Sequence, residues 1–233
     1  MTTHFAILKG IGVLLIGLTL RLALVVLVLA ALSAPILLVY FGVMWLLGAG
    51  RRLLGVSELS GLPWRSGLLH TPGHLWLKRC ASGFKVGVDG IALRLLPGVE
   101  RVALPMQGAY VHRGEPIAEV VTASRRVPIP SPMDGTVASV NDGLRRHPKR
   151  LLRDPYVRGW LLKLRPQGAE PEPCMEGAAA RDWFRSESRR LAQLLEQEMG
   201  VASADGGEPL AAPEKALTKD QWERLTSAFL KAA

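Results

Sequence analysis

Charge is missing from one long stretch of this chain, cysteine is nearly absent, and no lysine occurs between Lys85 and Lys149. The two cysteines, Cys80 and Cys174, stand far apart and in no metal or redox spacing. That excludes a disulfide framework and suits unpaired thiols in a reducing compartment. Enzyme signatures are also missing: there is no Gly-x-Ser-x-Gly, no P-loop, no dinucleotide glycine fingerprint and no His-Glu-x-x-His. His4, His70, His74, His112 and His147 are scattered. His70 and His74 are four apart but surround Pro72-Gly73 instead of lying on a helix, so no metal site is expected.

The charge-free stretch runs from Arg21 to Arg51. As a helix it would reach about 40 Å, more than the roughly 30 Å of a bilayer's hydrocarbon core. Residues 1–50 are therefore expected to be a membrane anchor. A single tilted span from about Leu22 to Leu47 is favoured. A helical hairpin turning at Ser33-Ala34-Pro35 stays open, although it would hold Arg21 inside the bilayer at a cost of about 2.5 kcal/mol or more. A cleaved signal peptide fits poorly, because Pro35 and further apolar chain follow the small residues Ala31–Ala34.

Charge is unevenly divided along the chain. Residues 51–166 hold 19 Lys+Arg against 8 Asp+Glu, whereas residues 167–233 hold 8 against 12. Arg51, Arg52, Arg65, Lys78 and Arg79 follow the apolar stretch, which by the positive-inside rule predicts an inner-membrane protein whose soluble part faces the cytoplasm. A basic segment behind a span suits anionic headgroups. Nucleic acid is not expected, since no aromatic-interleaved basic motif, zinc finger or helix-turn-helix is present.

Residues 51–73 are read as a basic juxtamembrane linker. From residue 74 to 166 short runs alternate with Gly and Pro, predicting strands at Leu75–Lys78, Phe84–Val88, Arg101–Leu104, Pro116–Val121, Thr136–Val140 and Trp160–Leu164. A short helix is expected at Ile91–Leu96, helix or loop at Asn141–Arg153, and core positions at Trp76 and Trp160. Residues 167–177 form a Pro- and acid-rich linker, and residues 178–233 a helical tail. Ala178–Met199 carries Trp183, Phe184, Leu191, Leu194 and Leu195 on one stripe. After a loop at Ser203–Pro213, Thr218-Lys219-Asp220-Gln221 has capping-box spacing ahead of Trp222, Leu225 and Phe229.

Residues 74–166 resemble the H protein of the glycine cleavage system. His74-Leu75-Trp76 is similar to that family's opening His-x-Trp, and Val86-Gly87-Val88-Asp89-Gly90-Ile91-Ala92 to its Val-Gly-Ile-Thr-x-x-Ala stretch. Leu104-Pro105, Gly108, Val111 and Gly114 match its Leu-Pro-x-x-Gly-x-x-Val-x-x-Gly turn. Ser131–Gly135 resembles the Ala-Pro-x-Ser-Gly turn. Val140-Asn141-Asp142-Gly143-Leu144, Pro148, Leu151, Asp154-Pro155-Tyr156 and Gly159-Trp160 follow in the family's order. The resemblance implies a mainly β fold, a lipoyl-like β-sandwich (barrel-sandwich hybrid), here with an N-terminal transmembrane helical segment and C-terminal helices.

The same resemblance implies a lysine at a hairpin tip, in a Glu-x-Val-Lys-Ala context, as the attachment point of lipoate. Counting forward from Glu119 puts that place at Thr122, and counting back from Gly135 puts it at Ser124. Neither side chain offers the amine that acylation needs, and Lys85 or Lys149 is a remote substitute. The expectation is a non-catalytic binding or scaffold module that carries no cofactor and engages the membrane and a protein partner. Its candidate partner-binding residues are Glu119, Arg125, Arg126, Trp183, Phe184 and Trp222, although packing of both tail helices on the β-domain is the favoured reading of those aromatics. The alternatives are a working lipoyl-carrier subunit and a membrane-fusion adaptor of an export system.

Overall fold

The computed structural model describes residues 2–53, 56–122, 125–168, 171, 173–199 and 217–230. Ser124 and the loop expected at Ser203–Pro213 lie outside the described residues. The chain divides into two compact units, Met1–Leu54 and Gly55–Ala233.

The first unit is a single helix, α1 (Thr2–Leu53). Its segment Leu20–Trp45 is 26 residues long and, by length and composition, apolar enough to cross a membrane. No turn forms at Ser33–Pro35. Proline removes one backbone donor, but an apolar helix continues through it, and Ser33 Oγ donates to the Ala30 carbonyl at 3.2 Å.

In chain order the second unit contains β1 (Val56–Leu59), β2 (Leu62–Arg65), β3 (Leu69–His70), β4 (Leu75–Cys80), β5 (Gly83–Val88), α2 (Gly90–Arg94), β6 (Val99–Ala103), β7 (Tyr110–Val111), β8 (Pro116–Thr122), β9 (Arg126–Pro130), β10 (Gly135–Val140), α3 (Asp142–Arg146), α4 (Arg150–Arg153), β11 (Leu162–Pro166), α5 (Gly177–Met199) and α6 (Lys219–Phe229). A six-stranded antiparallel sheet in the order β3-β4-β5-β11-β10-β7 faces a three-stranded sheet in the order β6-β8-β9. Leu77, Val86 and Leu164 from the first meet Val102, Val120 and Ile129 from the second in one core, which α3 and α4 close with Leu144 and Leu151. Alternation turns Val86 and Leu164 inward beside the less buried Lys85, Lys163 and Arg165, whereas on β4 Trp76, next to Leu77, is buried as well.

The stretch 56–65, expected to be part of a linker, is a built hairpin. Ser60 and Gly61 take positive φ values of 54° and 71°, the geometry of a tight two-residue turn. Trp64 is buried beneath it, Tyr156 donates its hydroxyl to the Pro63 carbonyl at 2.7 Å, and Arg65 donates to the Tyr156 carbonyl at 2.9 Å. A basic composition therefore did not make this piece a tether, because its apolar positions found a surface to bury against. Trp160, expected in the core, is only half-buried and lies beneath the Lys85 amine at 5.1 Å.

Trp76 is fully buried, and its directly paired residue across β4 and β5 is Gly87. The indole lies over that glycine, so a Cβ there would collide with the ring. Gly87→Val should therefore expel Trp76 and destabilise the chain by about 1–3 kcal/mol. Thermal unfolding of the detergent-solubilised protein measures this as a lowered midpoint.

Candidate functional site

The site is built at the end of the β8–β9 hairpin and on the face beside it. Val120 pairs with Val127, and Val121 with Arg126. Thr122 N donates to the Arg125 carbonyl at 2.9 Å, and Arg125 N returns a 3.4 Å bond to Thr122. Of the two positions offered for a carrier lysine, Thr122 is the last residue of β8, and Ser124 lies outside the described residues. Arg126 and Glu119 approach to 3.6 Å on the exposed face, a screened pair of little energetic weight.

The Arg125 guanidinium lies over the Trp222 indole at 5.0 Å. Trp222 belongs to α6, whose start is held by the reciprocal Thr218–Gln221 capping box. Leu225 and Phe229 follow on the same buried face, and Leu230 reaches the core between the sheets. Arg224 forks onto the Glu198 carboxylate at 2.9 and 2.6 Å, tying α6 to the end of α5 and holding that carboxyl below the usual range. The helical tail thus reaches the hairpin tip.

Beside the tip the tail covers a buried polar pair. Asp89 caps α2: its Oδ1 accepts from the amides of Ile91 and Ala92 at 2.9 and 3.0 Å. Its other oxygen lies 3.2 Å from His74 Nδ1, and both residues are essentially inaccessible. His74 adopts φ 58°, unusual for a non-glycine residue, and its carbonyl accepts from Asp89 N at 2.9 Å. From α5, Trp183 stacks on the imidazole at 5.1 Å and Glu187 Oε2 lies 3.8 Å from Nε2. From α6, Phe229 comes to 5.3 Å, with the Arg190 guanidinium on that phenyl ring at 4.9 Å. The pair has the form of an oriented acid–base couple, but it is shut off from solvent and its ring contacts are Asp89, Glu187 and two aromatics. It joins α2, the residue before β4 and the two tail helices.

Next to it, His70 stacks on Trp64 at 4.3 Å and 11°. Its backbone exchanges two hydrogen bonds with Met175, at 2.9 and 2.8 Å, at the entry to α5. Neither ring nitrogen meets a partner in hydrogen-bond geometry. Burial lowers the pKa of His70, against weaker opposing influences from Asp89 and the Arg65 backbone.

The candidate contacts read from the sequence divide accordingly. Glu119, Arg125 and Arg126 come together at the hairpin end. Phe184 and Trp222 do not face outward: they are 0% and 3% exposed, because each fills an apolar gap on the chain's own sheet and hairpin. Trp183 keeps one half-exposed edge. The His74–Asp89 pair and His70 were not foreseen. Asp89 two and three residues ahead of Ile91 and Ala92 was a readable capping signal. Among the described residues no group of acids, histidines or cysteines could hold a metal ion.

A family model described as "Glycine cleavage H-protein" matches residues 68–184, half of the chain. The chain belongs to the glycine cleavage H-protein family. The glycine cleavage system H protein of Anaeromyxobacter sp. (strain K) is 32% identical over 120 residues, covering 52% of this chain and 94% of that protein. The mitochondrial H protein of Pisum sativum is 31% identical over 112 residues, covering 48% of this chain and 68% of that one. A crystal structure of an H protein from Mycobacterium marinum superposes with a TM-score of 0.46 at 23% identity, covering 53% of this chain and 99% of that chain. H proteins are lipoyl carriers and not catalysts. The match stops at Phe184, so α1, β1, β2, α6 and most of α5 lie outside the family region.

The His70 environment makes the docking of the H-protein region to its tail pH-dependent. The folded chain keeps His70 neutral, whereas the unfolded chain takes up a proton near the ordinary value of about 6.5. Stability attributable to this residue is complete above that value. It is lost as pH falls from there towards the lowered folded pKa, and then levels off. His70→Phe should flatten this part of the slope. Urea midpoints at neutral and mildly acidic pH, for both proteins, measure it.

Proposed function

We propose that this chain is a membrane-tethered H-protein-like binding module that does not carry lipoate. The observation that carries the reading is the hairpin tip. No lysine stands between Lys85 and Lys149, and the tip's Arg125 is engaged by Trp222 of the chain's own tail. A carrier needs a free amine on a tip that can swing between partner enzymes. Here the amine is missing and the neighbouring surface is covered. Lys85 is no substitute, since it sits in the middle of β5 with its strand partner at Lys163, in the other sheet.

The apolar segment Leu20–Trp45 supports a tether in the inner membrane, and the basic residues behind it support a cytoplasmic position for the β-domain. The exposed part of the hairpin end, Arg126 and Glu119 with the free edge of Arg125, is the surface offered to a protein partner. H proteins meet partner proteins, and this domain keeps their fold while losing their chemistry. Such a module recruits or organises a complex at the membrane.

Family membership favours a second reading, a working lipoyl-carrier subunit, which fails at Thr122 and Ser124. An export adaptor is disfavoured by the short chain between Thr122 at the end of β8 and Arg126 at the start of β9, because adaptors of that type part their lipoyl halves with a helical hairpin. Mild solubilisation and affinity capture test the proposal. A partner should be recovered with the full chain and lost with Glu119→Arg/Arg126→Glu, whose charge reversal leaves the buried core untouched. Recovery of no partner, or of the same partners with that variant, would count against it.

A further inference from the structure

The geometry points to a second, unassigned site: a cleft between the start of β6 and the α3–α4 turn that binds a phosphate ester or a related multivalent phosphate group. The cleft has a volume of about 620 Å3. Arg146, His147, Lys149, Arg150 and Arg153 line it, with Glu100 as its one acid. His147 and Pro148 interrupt the helical run, so α3 ends at Arg146 and α4 starts at Arg150. That break turns the intervening basic residues around one concavity instead of spreading them along a helix.

The neighbouring cation behaves differently. Arg145 is occupied, at 3.3 Å from Asp142 and with bonds of 3.2 and 3.3 Å to the carbonyls of Leu104 and Pro105. Arg146, Lys149, Arg150 and Arg153 have no ion-pair partner among the described residues. Four fixed cations thus face a single carboxylate. Like charges held this close repel one another, and an anion in the cleft relieves that repulsion. One carboxylate ligand would neutralise too little. A phosphate group presents three acceptor oxygens and up to two charges, which suits guanidinium forks and an ammonium converging from several sides. The volume is that of a small phosphorylated molecule or of a lipid headgroup. The site borders the hairpin: Val99, at the cleft, pairs with Thr122 at the tip. It does not depend on the proposed partner role, because its cations are separate from those of the hairpin.

The test uses the full chain in an uncharged detergent, titrated calorimetrically with inorganic pyrophosphate. Saturable binding of one pyrophosphate is expected. The exposed pair Lys149→Gln/Arg153→Gln should weaken it by about tenfold or more, by loss of two charge-assisted contacts. The equally exposed pair Lys78→Gln/Arg79→Gln, which removes the same charge away from the cleft, should leave it unchanged. No saturable binding, or equal weakening by both pairs, overturns the site. A second arm separates the two sources of phosphate. In nanodiscs of phosphatidylcholine with phosphatidic acid, a headgroup site protects the amides of residues 145–153 from hydrogen exchange more than phosphatidylcholine alone does, and added pyrophosphate adds nothing. A site for a soluble ligand gains protection from pyrophosphate equally in both discs. Absence of protection under all these conditions contradicts the proposal as firmly as a flat titration.

Discussion

Asp89 is a fully buried acidic side chain in the second unit, and the surrounding elements are arranged so that its oxygens are satisfied. A carboxylate removed from water without partners is expensive, whereas one that accepts two amide hydrogens and faces an imidazole is tolerated. The two amides belong to α2 and the imidazole to His74, the residue just before β4. One acid therefore sets the start of a helix, the approach of a strand and the left-handed backbone at His74. The ring that it orients is then the surface on which Trp183 and Phe229 close. Removing the Asp89 side chain would strip two contacts from the helix and one from His74, the ring on which the tail closes.

The tail extends this arrangement to the hairpin. From His74 the contacts run through Phe229 along α6 to Trp222 and onto Arg125, so the end where a carrier would display its arm is held by residues beyond the family match. The cation–π contact is individually small, about 0.5–1 kcal/mol at a partly exposed position. The burial of Trp222, Leu225 and Phe229 supplies most of the adhesion. A helix beyond the family match thus covers the hairpin end of this H-protein region, and the contact it makes there is a packed one.

Much of this was legible from the residues. The strands at Phe84–Val88, Pro116–Val121 and Thr136–Val140 emerge within a residue or two, because Gly and Pro punctuate them and their apolar positions alternate. The capping box at Thr218 is an equally local signal. The β1–β2 hairpin was hidden by a different kind of information. Its positive charge suggested a tether, while its Ser60-Gly61 turn and the inward Trp64 were the better indicators. Packing of the tail helices on the β-domain is the favoured reading of the sequence, and the burial of Phe184 and Trp222 bears it out, although sequence alone leaves the partner-facing alternative open. An amphipathic helix declares that it has an apolar face, but whether that face meets its own domain or another protein depends on long-range packing. For the same reason the His74–Asp89 pair, fifteen residues apart in sequence, became visible only once β4 and β5 were paired.

The central claim is that an H-protein fold has been kept without its carrier chemistry. The most direct measurement is the intact mass of the full chain purified from its native membranes, with a lipoyl-specific blot beside it. The account predicts the mass of the unmodified chain and a blank blot. A mass heavier by one lipoyl group, mapped to any lysine of this chain, would contradict it.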